Sequence, residues 1–146
     1  MLNDVKLGMD VKVIEPSNLY GCSLGDRVFV GPFVEIQRGA VIGNDTRVQS
    51  HAFICDLVTI VERCFIGHGV MFTNDLFQTG GPARGDRTQY RSTNLGDDVS
   101  VGSNATILPV TIVAGCVVGA GSVVTKDLLT KGVYAGNPAR LIRRLP

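Results

Sequence analysis

The chain has no tryptophan, and aromatic residues make up only 6% of its 146 positions. Hydrophobic residues still reach 45%, which suits one domain with a narrow core built from valine and isoleucine. Charge of either sign is not in excess. The net value of +1 gives no electrostatic case for nucleic acid or a membrane surface as partner. No apolar run approaches the length of a membrane span. The opening MLNDVKLGMD lacks the apolar centre of a signal peptide, so a soluble, cytoplasmic protein is expected. Histidine occurs only at His51 and His68, and four cysteines stand at 22, 55, 64 and 116 without metal-type spacing. Cys64 and Cys116 read as buried thiols in a reducing compartment, and no metal is expected.

What the chain does have is a repeat. From Leu24 an apolar residue returns every six positions nine times: Leu24, Val30, Ile36, Ile42, Val48, Ile54, Ile60, Ile66 and Phe72. Four places after each comes a second, usually smaller residue, from Val28, Val34 and Ala40 through to Leu76. A helix repeats near 3.6 and a lone strand near 2, so neither explains a strict six. A parallel β-helix does: short flat strands alternate with tight turns around a prism, and three hexads make one coil. One apolar side chain per hexad then points inward and the small one sits at the turn. Gly25, Gly31, Gly43 and Gly67 relieve crowding there.

In chain order, residues 1–23 read as an irregular capping coil, with Val5 and Val11 six apart and a Pro16-Ser17-Asn18 turn, as solenoid ends require. Residues 24–77 are the regular coils. The next clear hexad after Phe72 starts at Leu95 instead of position 78, so 17 residues are extra. This excursion, 78–94, is Gly-rich, polar and basic, and reads as a loop thrown out from the prism. Residues 95–129 form the last coils. In the tail, 130–146, Gly136-Asn137-Pro138 is a turn, after which Pro138 is placed to open a short helix carrying Arg140, Arg143 and Arg144.

A six-residue repeat specifies a fold and no function. The informative residues lie beside the excursion. Asp56 and Asn74 are 18 apart, so both take the third place of a hexad and stack on one edge of the prism. Coils there are ~4.8 Å apart, and the two side chains can converge on one small group. Asp75 follows directly, and Arg84 lies in the excursion. His68 takes the third place of its own hexad on a different edge, and His51 falls one place off that column.

The pieces HGVMFTNDLFQTGGPARGDRTQYRSTNLGDDVSVGSNATILPVTI and VVGAGSVVTKD…GVYAGNPAR resemble the nucleotide-sugar N-acyltransferases of the hexapeptide-repeat family. FVGPFVEIQRGAVIG and RVQSHAFICDLVTI extend the likeness over nearly the whole chain. Within that family it is most similar to the enzymes that acetylate the 3-amino group of UDP-2-acetamido-3-amino-2,3-dideoxyglucuronate, for cell-surface polysaccharide synthesis. GAGSVV and GNPAR are shared widely among acetyl-CoA-using members, whereas NDLF…TGGPARGD is far more specific. The resemblance implies an all-β, left-handed parallel β-helix, a homotrimer, and active sites in the grooves between neighbouring prisms. Acetyl-CoA would run beside Ala105, Thr106, Ser122 and Val123, with its phosphates and adenine near Lys126 and Arg140. A backbone N–H near Ala105 would hold the oxyanion.

On the acceptor side, Asn74 and Asp56 would orient the sugar amine and Asp75 would aid its desolvation or proton handling. His68, reaching across the trimer groove, is the minor alternative as base. Arg84 would pair with the sugar carboxylate, since guanidinium matches carboxylate in a two-toothed geometry. Glu35 and Gln49 would contact sugar or uridine. Two rivals share much of this reading: a transferase for a dTDP-3-amino-6-deoxyhexose, and a non-enzymatic scaffold. A γ-class carbonic anhydrase, also a β-helix trimer, needs three histidine ligands per site where this chain has two histidines in all.

Overall fold

The protein, described over all residues 1–146 by a computed structural model, is a left-handed parallel β-helix. Its strands are mostly two residues long and stack into three sheets. Sheet A runs through Leu2–Asn3, Asn18–Tyr20, Glu35–Ile36, Phe53–Ile54, Met71–Phe72, Thr106–Ile107 and Val123–Val124. Its seven strands mark seven turns of the solenoid. Sheet B has six strands and sheet C eight. No helix is long and apolar enough to cross a membrane.

The hexad residues build the core as expected. Ile36 pairs with Ile54 in sheet A, Ile42 with Ile60 in sheet B and Val48 with Ile66 in sheet C, so like stacks on like. All of them are 0–1% exposed. The smaller residues Val34, Ala40, Thr46, Ala52 and Val58 close each corner and are equally buried. A β-carbon at Gly43 would collide with the Val61 carbonyl oxygen of the next coil, which is why that corner carries glycine. The corners need one left-handed residue each. Arg27, Asp45, Arg63 and Asp98 supply it between sheets B and C; Phe33, His51, Gly69, Asn104 and Gly121 supply it between C and A.

Three features differ from the sequence expectation. The first coil pairs in regular register from its start, with Leu2 opposite Leu19 and Lys12 opposite Phe29. The excursion ends earlier than Asn94, because Thr93 is buried and opens the strand Thr93–Leu95. It also holds one buried residue, Ala83. The C-terminal helix does not form. Gly132–Gly136 joins sheet C, and Ala139–Arg144 folds back on it antiparallel, with Ala135 opposite Arg140. A six-residue helix gains too few hydrogen bonds to offset its nucleation cost. The open edge of Gly132–Gly136 instead offers a ready-made ladder, and Asn137-Pro138 makes the two-residue turn.

Ile54 tests the core directly, because it is fully buried between two coils. Ile54→Ala should cost about 2–5 kcal/mol, whereas Val41→Ala on the outer face of sheet B, where Val41 is 43% exposed, should cost under about 1 kcal/mol. Urea denaturation followed by circular dichroism reads both, and equal losses would contradict this core.

Candidate active site

Stacking in sheet A carries through to the corner that follows it. Arg38, Asp56 and Asn74 each stand two places after the inward residue of their strand, so they form one column on the edge between sheets A and B. The Asn74 amide nitrogen donates to the Asp56 backbone carbonyl at 3.0 Å. Together with Tyr20, Gln37 and Tyr90 these three line an open groove of about 270 Å³. Asp56 and Asn74 do stack on one edge, but the Asn74 side chain meets the Asp56 backbone and not its carboxylate; the excursion lies beside them.

The excursion is tied down by named contacts. Arg91 donates its backbone N–H to the Asn74 carbonyl at 2.9 Å. Asp75 and Tyr90 form an antiparallel bridge. Both Asp75 carboxylate oxygens accept backbone N–H groups, one from Phe77 just before the excursion at 3.0 Å and one from Ala83 within it at 2.8 Å. Asp75 therefore acts as the anchor of the loop, and its charge is spent on backbone donors. The Asp56 carboxylate accepts Leu57 N–H at 2.7 Å and forms an ion pair with Arg87. Arg84 sits between buried Ala83 and the capping Asp86 in left-handed backbone (φ 57°), exposed and in no ion pair.

The other expected residues scatter. His68 is exposed on the edge between sheets C and A, outside this groove. Gln49 lies on that edge as well, and His51 stacks on Phe33 with ring centroids 5.0 Å apart. Glu35 is at the groove's rim, accepting the Tyr20 hydroxyl at 3.0 Å and the Gln37 amide at 3.3 Å. Burial, and next the Glu35 hydrogen bond, raise the Tyr20 phenol above its ordinary pKa, so it serves as a neutral donor. Phe33, Glu35 and Pro16 line a second open hollow of about 320 Å³.

The residues expected along acetyl-CoA do lie on consecutive coils, with Thr106 opposite Val123. Ala105 is fully buried and its N–H is given to the Gly102 carbonyl at 3.3 Å, so it presents no free donor to an oxyanion. Ser122 is buried too, and its hydroxyl accepts Gly136 N–H at 3.1 Å, bracing the C-terminal strands. Lys126 and Arg140 are exposed. All four cysteines are free and buried, and burial pushes the Cys55 and Cys64 thiols up to about 11, which rules them out as nucleophiles near neutral pH.

Residues 21–56 match the family model of the bacterial transferase hexapeptide (six repeats), and residues 93–126 match that of the hexapeptide repeat of succinyl-transferase. Hexapeptide-repeat models of bacterial transferases thus match two separate stretches of the prism. It is 28% identical over 97% of its length to the bifunctional protein GlmU of Acidithiobacillus ferrooxidans, of which it covers 33%. It is 33% identical over 74% of its length to GlmU of Methylibium petroleiphilum, covering 21% of that protein. The chain thus spans a third or less of these curated relatives.

Among solved structures, it resembles a hexapeptide-repeat acetyltransferase of Vibrio cholerae in complex with acetyl coenzyme A. The TM-score is 0.71 at 27% identity, covering 86% of this chain and 72% of the other. The N-acyltransferase AntD of Bacillus cereus, solved with dTDP and coenzyme A, gives 0.72 at 21% identity over 97% and 84% of the two chains. GDP-perosamine N-acetyltransferase of Caulobacter crescentus, with CoA and GDP-perosamine, gives 0.67 at 22% over 94% and 56%. At those identities the last two establish likeness of fold.

Sequence reasoning missed Tyr20, Gln37, Arg38, Arg87 and Tyr90. Arg38 is 18 positions before Asp56, so the same count would have found it. Tyr90 and Arg87 lie in the excursion, where no period operates. The anchoring role of Asp75 predicts that Asp75→Ala speeds amide exchange at Phe77 and Ala83 by at least about tenfold, from loss of two charge-assisted hydrogen bonds. Exchange in the core strand Phe53–Ile54 should not change. Mass-spectrometric hydrogen exchange measures both.

Proposed function

We propose that this chain is an acetyl-CoA-dependent N-acetyltransferase acting on the 3-amino group of a nucleotide-linked amino sugar, with UDP-2-acetamido-3-amino-2,3-dideoxyglucuronate as the acceptor. The observation that carries this reading is the orientation of Asn74. Its amide nitrogen is committed to the Asp56 carbonyl, which leaves its side-chain oxygen as an acceptor on the groove. That oxygen takes one N–H of a neutral amine and aims the nitrogen's lone pair.

The chemistry then needs little from the protein. The amine nitrogen bonds to the thioester carbon, the C–S bond breaks, and the surplus proton of the nitrogen ends on the CoA sulfur. Holding two reactants in line supplies about 7–11 kcal/mol of the acceleration. An amide is no base, and a neutral amine, already nucleophilic, does not require one. Asp56, ion-paired to Arg87, supports the wall of the site, and Asp75 holds the excursion beside it. Arg84, exposed and unpaired in the excursion, receives the sugar's carboxylate. Likeness to the Vibrio cholerae enzyme solved with acetyl-CoA supports the donor. The Caulobacter crescentus and Bacillus cereus proteins, solved with GDP-perosamine and dTDP, make a nucleotide-linked acceptor a natural partner for this fold.

The active unit in this reading is a homotrimer. His68, exposed on another edge, faces a neighbouring groove in such an assembly, where it is the alternative base. Light scattering should give three times the 15.6 kDa of the chain; a monomer at micromolar concentration would refute a site between subunits.

Turnover of a panel of nucleotide-linked 3-amino sugars with acetyl-CoA tests the reaction. Asn74→Ala should lower kcat by one to two orders of magnitude, from loss of a hydrogen bond of roughly 1.5–3 kcal/mol, and His68→Ala should cost much less. The reverse order would make His68 the base. Arg84→Ala should raise KM for the glucuronate about tenfold to a hundredfold and leave acetyl-CoA unaffected, with little rescue by Arg84→Lys. Equal losses on a dTDP-3-amino-6-deoxyhexose would remove the acid-sugar assignment. A protein that fails to bind acetyl-CoA at all would be a scaffold.

A further inference from the structure

The excursion carries three cationic side chains, and only one of them reaches the prism. The Arg91 guanidinium donates to the carbonyls of Thr88 and Tyr90, both at 3.0 Å, and to Gln78 at 3.4 Å, all within the excursion. Arg84 makes no ion pair. Arg87 alone pairs with a prism residue, the Asp56 carboxylate. Its own position is built. Asp86 caps the short 3-10 turn Arg87–Gln89, accepting Thr88 N–H at 3.1 Å, the Thr88 hydroxyl at 2.6 Å and the Gln89 amide at 3.1 Å. Those bonds, the Thr88 hydroxyl foremost, hold the Asp86 carboxyl below its ordinary pKa, so the cap is charged at neutral pH.

Asp56 is not a casual surface partner. Its side chain is only 14% exposed, against 64% for Arg87, and apart from Arg87 it has a single donor, the N–H of Leu57. Arg87 is the one cation within ion-pair distance of that carboxylate. The same residue fixes Asn74 through its backbone carbonyl. One residue therefore holds both the excursion and the side chain at the centre of the groove.

We propose that Arg87 is the positioning residue of the acceptor side. Its guanidinium on Asp56 sets the seat of the excursion, and with it the places of Arg84, three residues before it, and Tyr90, three after, relative to Asn74. This rests on the amino-sugar reading for what the excursion presents, although the seating itself does not.

The test is a double-mutant cycle read by trypsin cleavage at Arg84–Gly85, a bond present in every variant. Native protein, Arg87→Gln, Asp56→Asn and the double variant are compared, with circular dichroism confirming that each keeps its fold and Arg87→Lys as a conservative control. Arg87→Gln and Asp56→Asn should each speed cutting about tenfold, the double variant no more than either single, and Arg87→Lys less. In steady state, Arg87→Gln should raise KM for the sugar nucleotide about tenfold with KM for acetyl-CoA unchanged. Equal cutting rates in all variants, or rates that multiply in the double variant, would overturn the proposal. Faster cutting with an unchanged acceptor KM would overturn it too, since the pair would then be a structural tie only. If native protein turns over no sugar nucleotide, the transferase reading fails, and the cleavage cycle still decides whether Arg87 seats the excursion.

Discussion

The prism depends on one packing constraint: a single bulky apolar side chain must point inward in every hexad, while parallel pairing returns the chain to itself each coil. Leu19, Ile36 and Ile54 meet in this way in sheet A, with spacings of 17 and then 18 residues. Once the inward residue is fixed, the residue two places later is fixed as well, coil after coil. Side chains far apart in sequence are thereby delivered to one edge at ~4.8 Å intervals. The stack of Arg38, Asp56 and Asn74 follows from the core and needs no separate device.

Two of the three edges use this regularity differently. Between sheets B and C, opposite charges alternate up the column: Arg27 pairs with Asp45 at 2.7 Å, and Arg63 with Asp98 at 3.0 Å. Beside them Asn44 links to Asp26 N–H and to the Glu62 carboxylate. Each exposed pair contributes at most about 1 kcal/mol, yet together they leave few polar groups free to receive a ligand. Between sheets A and B the column is interrupted by the excursion, and an open groove remains there, lined by Asn74, by Tyr20 bonded to Glu35 and by Arg38 paired with Asp4. One edge satisfies its own polar groups, and the interrupted edge is where chemistry becomes possible.

Much of this was legible in the chain because a strict period translates into geometry. Every residue of the series from Leu24 to Phe72 is buried at 3% exposure or less, and counting by 18 brought Asp56 and Asn74 together. Where the period stops, legibility stops too. Arg87 reaches Asp56 across an irregular segment, and nothing in its spacing announces the contact. The role of Asp75 was unreadable for the same reason, since its partners, the N–H groups of Phe77 and Ala83, depend on how the excursion folds. At the C-terminus, Pro138 suggested a helix start by local rule. The unpaired edge of Gly132–Gly136 was a tertiary fact that no local rule contains. Ala105 shows the reverse case: a residue in the expected place whose N–H is consumed by the turn that puts it there.

The most direct measurement of the central claim is a crystal structure of the protein with CoA and UDP-2-acetamido-3-amino-2,3-dideoxyglucuronate bound together. The account predicts the 3-amino nitrogen within about 3.2 Å of the Asn74 side-chain oxygen, on the edge between sheets A and B, with the CoA sulfur on the far side of that nitrogen. A sugar seated elsewhere, or an amine whose nearest polar neighbour is a histidine with Asn74 still turned to Asp56 and empty-handed, would contradict it.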